Sequence, residues 1–493
     1  MAYVEPARPI LERSVQNDLR RERAAFALLA VVQVVSIMAI TLVVVALPAI
    51  QRDFGLGTGG LALVTSAYDV SFAGLLMLGG RLSDLHGPRR LLISGLAMFG
   101  LASALAGVAW AAEALVLARF AQGCGAALAA SAALALVGEV VREPARRERA
   151  LALWGGLASL GAVGGMLVSG AVAFVSWRWL FAIPATVAAL AVWQAPRLLP
   201  DAEPRERAPL DVAGAVLATA GLALAGFGLL RAADFGWSSD AARLSLVAGV
   251  ASLAAFAGVE WRVRNPLLPP GLLRSRRRGV ALLAILATSA ATAALTFFAS
   301  LYFQQLRGLT PVQTSAAFVP YAAVLAGATV ASGHLVGRAG PWRVLAAGLA
   351  LAAAACALAA RMEATSATWV VVALLAFPAG GVLAFAGATV VALDGAPPGR
   401  VGVAGGLANT ALQAGPVLGL AVLVAVANRG TARLVAAGVG PEPATLVGYA
   451  AALEAAAVAL GIVCLLAAVT SASAAGGSAT LEPSSTRSKG GKA

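Results

Sequence analysis

Charged residues are scarce in this chain of 493 residues. Asp, Glu, Lys and Arg make up 12% of it and hydrophobic residues 60%, whereas about 25% of an ordinary soluble protein is charged. Such a composition cannot cover the water-facing surfaces of the roughly three soluble domains that this length would otherwise suggest. The scarcity of charge therefore excludes an ordinary soluble enzyme and a disordered chain, and it favours a protein that crosses a membrane many times.

Cysteine and histidine are nearly absent. The three cysteines, Cys124, Cys356 and Cys464, lie in apolar runs, so the sequence indicates no disulfide framework. His86 and His334 are too few and too far apart along the chain to indicate a metal centre. We therefore expect no metal site.

Long apolar runs dominate the chain instead. A transmembrane helix needs about 20 mostly apolar residues, and the sequence has fourteen such candidates. They lie near residues 25–50, 61–80, 91–110, 113–138, 150–174, 179–195, 212–230, 244–261, 280–303, 314–336, 342–360, 368–393, 405–427 and 445–470. The count predicts an all-α membrane protein with 14 spans.

Positive charges are distributed unequally between alternate loops. With the N-terminus in the cytoplasm, 27 Lys and Arg residues fall in cytoplasmic segments and 8 in external segments, and Arg119 lies inside a span. Because cationic loops resist translocation, this asymmetry predicts that both termini are cytoplasmic. The formal net charge of +13 then reflects the cationic cytoplasmic segments, and it does not indicate a nucleic-acid partner.

The chain contains an internal repeat. At an offset of 253 residues, Gly80–Leu92 aligns with Gly333–Leu345 through shared Gly, Leu, Pro and Arg positions, and Tyr68 aligns with Tyr321. Both stretches follow the second span in a group of six. Transporters built from two such repeats bind their substrate near the membrane midplane and expose it alternately on each side. The repeat predicts two six-helix bundles with two additional central transmembrane helices.

Five segments follow from these boundaries. They are a cytoplasmic N-terminal segment (1–24), an N-terminal six-helix bundle (25–196), a connector with two extra transmembrane helices (197–279), a C-terminal six-helix bundle (280–470) and a cytoplasmic tail (471–493). The tail is rich in Ser, Gly and Ala, a composition typical of disorder.

The loop between the second and third predicted spans is glycine-rich and charged. Its positions Gly80, Asp84, Gly87 and Arg89 match the loop signature of the major facilitator superfamily, which this chain resembles. The resemblance implies that these four residues form a conformational latch, in which Asp84 takes a charge-assisted bond from Arg89 or from a neighbouring helix. An ordinary tight turn is the alternative.

Small and polar residues are spaced along the fourth and fifth predicted spans. The fourth span resembles that superfamily's signature at Arg119, Gln122, Gly123 and Gly125. Small residues four positions apart let two helices approach closely. We therefore expect helix packing at Gly123, Gly125, Gly161 and Gly165.

Further stretches resemble the superfamily's fourteen-span drug:proton antiporter family. They are Ser176–Phe181, Pro209–Gly214, Glu260–Pro269, Leu301–Pro320 and Gly406–Gly419. With the two signatures they cover approximately residues 25–470. The resemblance implies the major facilitator fold, a bacterial cytoplasmic membrane, a monomer, and the proton gradient as the energy source in place of any cofactor.

The first span departs from the family pattern. Its usual acid and amide are replaced by Ala39 and Val44, so proton coupling requires another group. A charge at the bilayer centre costs about 2.5–3.5 kcal/mol on insertion scales, and three ionisable residues lie within spans, namely Asp69, Arg119 and Glu454. We expect Asp69 to replace the missing acid and to pair with Arg119 in one protonation state. We interpret Glu454 as a candidate for a second protonation or cation-recognition site. The alternatives are a static Asp69–Arg119 pair and a structural or snorkelling Glu454.

Polar and aromatic residues within the spans are candidates for a substrate cavity. They are Thr65, Tyr68, Gln122, Phe298, Gln304, Asn409 and Gln413. Thr65 shares a helix face with Asp69 because the two are four residues apart. Packing or bonding to neighbouring helices is the alternative for each of the seven.

Together these patterns predict a secondary active transporter. It would export amphipathic small molecules, such as drugs, antibiotics or a metabolite, in exchange for protons by alternating access. A proton-independent or importing facilitator is the alternative, favoured by the missing acid of the first span. A membrane enzyme would need clustered His, Asp or Glu with a nucleophile or metal ligands, and the sequence has no such cluster.

Overall fold

The computed structural model describes residues 8–141, 143–173, 175–201, 212–236, 239–262, 275–394 and 401–479. Regular structure in these ranges is helical throughout. Most candidate spans form long helices. A helix satisfies its own backbone hydrogen bonds, which a chain surrounded by lipid requires. The predicted all-α class is confirmed.

Seven helices are described in the N-terminal half. They are α1 (Arg8–Thr41), α2 (Leu47–Phe54), α3 (Thr58–His86), α4 (Pro88–Gly107), α5 (Ala112–Val140), α6 (Pro144–Ala173) and α7 (Ala182–Leu198). A 3-10 helix, Trp177–Phe181, leads into α7. Two central helices follow, α8 (Val212–Phe235) and α9 (Asp240–Glu260).

The described helices of the C-terminal half come after the central pair. They are α10 (Arg276–Leu301), α11 (Pro311–Ala339), α12 (Pro341–Ala359), α13 (Thr368–Leu393), α14 (Val401–Ala414), α15 (Leu420–Ala436) and α16 (Pro441–Ala479). Short π-helical turns, Tyr302–Leu306 and Gly415–Gly419, follow α10 and α14.

Parts of the predicted segments lie outside the described residues. These are residues 1–7, 142, 174, 202–211, 237–238, 263–274 and 395–400 and the tail from residue 480 onward. Within the description, α1 begins at Arg8 and α16 continues to Ala479, past residue 471 where the sequence predicts the tail to begin. The boundaries of the five segments stay predictions.

Twelve helices in the described residues are long and apolar enough to cross a membrane. Two shorter apolar segments, Leu160–Val172 in α6 and Val216–Ala232 in α8, are also present. Large apolar side chains such as Leu117 and Val250 are exposed on the helix surfaces, as expected where helices face lipid. The chain is therefore a multi-pass membrane protein, and the count of fourteen spans stays a prediction.

The sequence repeat corresponds to a repeated helix junction. α3 ends at Gly87, whose φ is +84°, and α11 ends at Gly340, whose φ is +83°. Glycine adopts this left-handed conformation without the steric cost that a side chain would add. Pro88 and Pro341 then begin α4 and α12, where the missing proline N–H is tolerated.

The central helix α8 contacts both halves. A Cβ on Gly74 of α3 would lie 1.9 Å from Thr219 Oγ1, and a Cβ on Gly226 would lie 3.1 Å from Val417. Leu222 packs with Val417 in a small buried apolar cluster between them. The central pair is therefore attached to α3 on one side and, through the turn that follows α14, to the C-terminal half on the other.

Glycines on α6 let that helix approach α1 closely. A Cβ on Gly165 would lie 2.7 Å from Met38 O and 2.0 Å from Thr41 Oγ1. A Cβ on Gly161 would lie 2.5 Å from Val34 O. Any side chain at Gly161 or Gly165 would therefore push α1 and α6 apart.

We expect Gly165→Ala to lower the free energy of unfolding by about 1–3 kcal/mol, the usual cost of overpacking. The matched control is Gly164→Ala, because a Cβ there meets no atom within 4 Å and alanine is the better helix former. Thermal unfolding of the purified variants in detergent measures both effects. Equal stability of the two variants would contradict the packing account.

A polar cluster joins α2 to the 3-10 helix. Trp177 Nε1 and Arg178 Nη1 each donate to Asp53 Oδ2 at 2.8 Å, and Arg178 Cζ lies 4.4 Å from the Trp177 ring centroid. These two donors, first Trp177 and then Arg178, lower the pKa of the Asp53 carboxyl. Trp177 belongs to Ser176–Phe181, one of the stretches that resemble the fourteen-span family.

We expect Asp53→Asn to reduce thermal stability at neutral pH by a small amount. Because the pKa of Asp53 is lower in the folded protein than in the unfolded chain, its carboxylate stabilises the fold at neutral pH. That stabilisation is lost as the pH falls through the folded value, below about 4. The difference in melting temperature between variant and wild type should therefore narrow from pH 7 to pH 3.5. Glu363→Gln, at an exposed loop position, is the control and should show no such narrowing.

Candidate functional site

Arg119 on α5 is fully buried in the N-terminal half. Its Nη1 donates to Ala39 O at 2.9 Å and to Gln122 Oε1 at 2.7 Å, and its Nε donates to Val64 O at 3.4 Å. Its Cζ lies 4.7 Å from the Tyr68 ring centroid, a cation–π contact. Neutral acceptors and one aromatic face therefore hold this cation between α1, α3 and α5.

A chain of hydrogen bonds extends from Arg119 into the helix interior. Gln122 Nε2 donates to Ser103 Oγ at 2.7 Å, and Ser103 Oγ donates to Phe99 O at 2.6 Å. Tyr68 Oη donates to Ser36 O at 2.7 Å. Gln122 and Tyr68 are completely buried, so neither lines an open surface in this conformation.

Asp69 follows Tyr68 on α3, and 9% of its surface is exposed. Arg119 is close enough for the two charges to interact. Among the described residues, however, no ion pair of 4.0 Å or less joins the Asp69 carboxylate to a cation. Arg119 Nη2 is also buried without a hydrogen-bond partner. Asp69 and Arg119 are thus neighbours without a direct bond, although each has a polar group available to form one.

Three further cavity candidates, Thr65, Asn409 and Gln413, are half-buried. Thr65 Oγ1 donates to Ala62 O at 2.8 Å within its own helix. Asn409 and Gln413 lie one turn apart on α14, and no hydrogen bond of either side chain is found within the described part of the chain. These two amides are therefore available to water or to a ligand.

The other two cavity candidates, Phe298 and Gln304, belong to the C-terminal half. Phe298 on α10 is fully buried, with its ring centroid 5.0 Å from that of Tyr449. Gln304 Nε2 donates to Val45 O, in the N-terminal half, at 2.8 Å. Gln304 therefore belongs to the contact between halves in this conformation, and a role in binding substrate would require this contact to open. Phe298 packs within the C-terminal half.

Glu454 lies apart from the buried polar groups. Its side chain is exposed on the surface of α16, and α16 packs against α10, α12 and α15. The structure thus brings Asp69 and Arg119 together and leaves Glu454 outside that group. A role for Glu454 in proton coupling stays a prediction.

Arg89 of the predicted latch bonds to residues at the end of α7. Arg89 Nη2 forms an ion pair with Asp201 Oδ2 at 2.9 Å, and Arg89 Nη1 donates to Leu199 O at 3.3 Å. The side chain of Asp84 lies outside the described residues, and a Cβ on Gly80 would meet no atom within 4 Å. The observed bonds join the start of α4 to the end of α7.

The glycines of the fourth span lie at close helix contacts. A Cβ on Gly123 would lie 2.3 Å from Tyr68 O, and one on Gly125 would lie 2.4 Å from Phe99 N. Gly123 therefore fixes the spacing of α3 and α5, the two helices that hold Asp69 and Arg119.

Sequence reasoning missed the contribution of Ser300. This buried residue of α10 donates from Oγ to Val44 O, in the other half, at 2.8 Å. No local pattern pointed to this bond, because Ser300 and Val44 are 256 residues apart in sequence.

Similarity to known proteins agrees with this architecture. Residues 29–420 match the Major Facilitator Superfamily. The chain is 36% identical over 439 residues to the puromycin resistance protein pur8 of Streptomyces alboniger, covering 87% of this chain and 86% of pur8. It is also 36% identical over 407 residues to the cephamycin export protein CmcT of Amycolatopsis lactamdurans, covering 79% of this chain and 82% of CmcT.

The fold is also similar to that of solved transporters. A bacterial homologue of the human lysosomal transporter Spinster superposes with a TM-score of 0.65 and 16% identity, covering 91% of this chain and 96% of that structure. The matched family and the relatives above are transporters and not enzymes. The chain belongs to the Major Facilitator Superfamily and is a membrane transporter whose relatives include antibiotic exporters.

Proposed function

We propose that this transporter exports amphipathic small molecules, antibiotics or a related metabolite, in exchange for protons, and that Asp69 is the group that carries the proton. The observation behind this proposal is the state of Asp69 and Arg119. A carboxyl group is buried within a span without a bond, beside a buried guanidinium whose Nη2 is unused.

Such a pair can exist in two arrangements of similar stability. A buried carboxyl group without a partner is favoured in its neutral, protonated form, because an unpaired charge is costly in an apolar interior. A carboxylate bonded to Arg119 Nη2 would instead gain a charge-assisted hydrogen bond. Protonation of Asp69 would therefore break its contact with Arg119, and deprotonation would restore it.

Arg119 can transmit this change because it contacts several spans. Its bonds to Ala39 O and Val64 O connect α5 to α1 and α3. Movement of the guanidinium toward Asp69 would weaken these bonds and change the packing of the N-terminal half. Ala39, where the family usually has an acid, presents only its carbonyl oxygen to Arg119.

The proposed substrate class has two supports. The relatives are named for resistance to puromycin and for export of cephamycin, and others for resistance to lincomycin and tetracenomycin C. Asn409 and Gln413 offer neutral hydrogen-bonding groups, which suit polar atoms of an otherwise apolar ligand.

We also propose that both termini are cytoplasmic, as the cation distribution predicts, and that the protein works as a monomer in the bacterial cytoplasmic membrane.

The alternative is a proton-independent or importing facilitator, and the missing acid of the first span favours it. The energetics distinguish the two. One charge crossing 100 mV yields about 2.3 kcal/mol, which supports a substrate gradient of roughly fifty-fold at about 1.4 kcal/mol per decade. A facilitator would only equalise the two concentrations.

Everted membrane vesicles test the proposal. With puromycin and lincomycin as probes, wild-type vesicles should accumulate the transported compound while a proton gradient is imposed. Accumulation should cease when a protonophore collapses the gradient. Accumulation that persists without the gradient, or equilibration with the gradient present, would contradict proton-driven export.

A further inference from the structure

The first span is interrupted near one end of the molecule. α1 ends at Thr41, α2 begins at Leu47, and the backbone between them forms turns. Among the described residues, no backbone N–H donates to Val44 O in these turns. Because Val44 is buried at 8% exposure, this carbonyl needs another donor.

The C-terminal half supplies that donor. Ser300 Oγ lies 2.8 Å from Val44 O, and Gln304 Nε2 lies 2.8 Å from the next carbonyl oxygen, Val45 O. The paired residues are 256 and 259 positions apart in sequence. Two successive carbonyls of the interrupted span are thus satisfied by side chains of the opposite half.

The end of α10 positions both donors. Ser300 and Gln304 are four residues apart and lie on one helix face, and Gln304 Nε2 is also 3.3 Å from Ser300 Oγ. The π-helical turn Tyr302–Leu306 begins directly after α10, and such turns widen the helix where a side chain must be redirected. Next to this pair, Gln305 Nε2 donates to Gln51 Oε1, also across the halves.

The start of α11, which follows α10 closely along the chain, also contacts the N-terminal half. On α11, Ser315 is buried near the start and donates to Met166 O of the N-terminal half at 2.7 Å. Farther along, Val330 is 86% exposed, and a Cβ on Gly333 or Gly337 would meet no atom within 4 Å. The bonds of Ser300 and Gln304 therefore lie at the closed end of the contact between halves.

We propose that Ser300 and Gln304 are positioning residues of the transport cycle. Their two bonds to the interrupted span hold this end closed, and the bonds break when the halves separate to expose the site on this side. Both donors and both acceptors are neutral, so the strength of this contact does not depend on the protonation of Asp69. The inference rests on the alternation of the two halves and is independent of the proton-coupling proposal.

A distance measurement between the halves tests the inference. Spin labels are attached at Arg52→Cys and Thr365→Cys, two exposed positions at this end, in full-length protein with Cys124, Cys356 and Cys464 replaced by alanine. Pulsed electron resonance then gives the populations of closed and open states. Ser300→Ala and Gln304→Leu should each raise the ratio of open to closed molecules about five-fold, a typical effect of one hydrogen bond. The double variant should raise it about 25-fold if the bonds are independent.

Thr296→Ala is the matched control. Thr296 lies one turn before Ser300 on α10 and is buried, but its hydroxyl donates to Thr292 O and Ala293 O within its own helix. This variant should leave the distance distribution unchanged. Ser300→Thr, which restores a hydroxyl donor, should return the ratio toward that of the wild type.

Two results would overturn the inference. The first is a wild-type distance distribution in the double variant, and the second is an equal shift in Thr296→Ala. If the double variant unfolds in a thermal scan, Gln304→Glu removes the amide donor at nearly constant shape and repeats the test. No step of the measurement involves substrate or protons. A result that overturns this inference would therefore not count against the proposed proton coupling. A result that contradicts proton coupling would likewise not count against this inference.

Discussion

Asp69→Asn is expected to abolish uphill export in response to a proton gradient while downhill movement of substrate continues. Asparagine has nearly the shape of a protonated aspartic acid, so the packing of α3 should persist, but it cannot exchange a proton. The substrate gradient across vesicles should fall from as much as roughly fifty-fold to one, because the energy of one proton is no longer available.

Substrate accumulation and exchange separate these two effects. In proteoliposomes, Asp69→Asn should show substrate counterflow close to that of the wild type, but no accumulation when a pH gradient is imposed. Asp240→Asn is the control, since Asp240 is an exposed carboxylate that pairs with Arg243 on α9. If Asp69→Asn lost counterflow as well as accumulation, Asp69 would have a structural role instead.

Arg119→Ala is expected to have the largest structural effect of any single substitution considered. Its removal leaves Gln122 Oε1 and Ala39 O buried without their donor, at a cost of about 1–3 kcal/mol for each unsatisfied group. It also leaves a cavity in the N-terminal half. We expect little folded protein, and no transport from the fraction that folds.

Arg119→Lys separates the effect of the positive charge from the effect of the side-chain shape. Lysine keeps the positive charge but lacks the planar fork that reaches several acceptors at once. We expect a folded protein with a lower melting temperature and transport reduced about ten-fold, a loss of roughly 1.4 kcal/mol. Arg433→Ala, at an exposed position of α15, should behave as wild type. Wild-type transport by Arg119→Ala would contradict any central role for this residue.

Much of the architecture follows from local patterns in the sequence. Apolar runs of the required length predict the helices, and the Gly87–Pro88 and Gly340–Pro341 junctions adopt the same geometry because glycine and proline determine it locally. The small residues Gly161 and Gly165 predict a close helix approach, and the structure places α1 there. The identity of that partner helix could not be predicted, because it depends on contacts between distant parts of the chain.

Candidate site residues were harder to place for the same reason. Gln304 is a polar residue of a span, which is equally consistent with a cavity and with a contact between halves. The bond from Gln304 to Val45 O, 259 residues away, distinguishes a contact between halves from a cavity. Likewise, Arg89 pairs with Asp201, in a connector whose path the sequence does not specify. By contrast, the proximity of Asp69 and Arg119 could be predicted, because each lies at a similar depth in a neighbouring span.

The most direct test of the central claim is proton release on substrate binding. A weakly buffered detergent solution of the purified protein, with a pH-indicator dye, should show release of about one proton per molecule when a transported antibiotic is added. Asp69→Asn should bind the same antibiotic and release none. Equal release by Asp69→Asn and the wild type would contradict the assignment of Asp69 as the proton carrier.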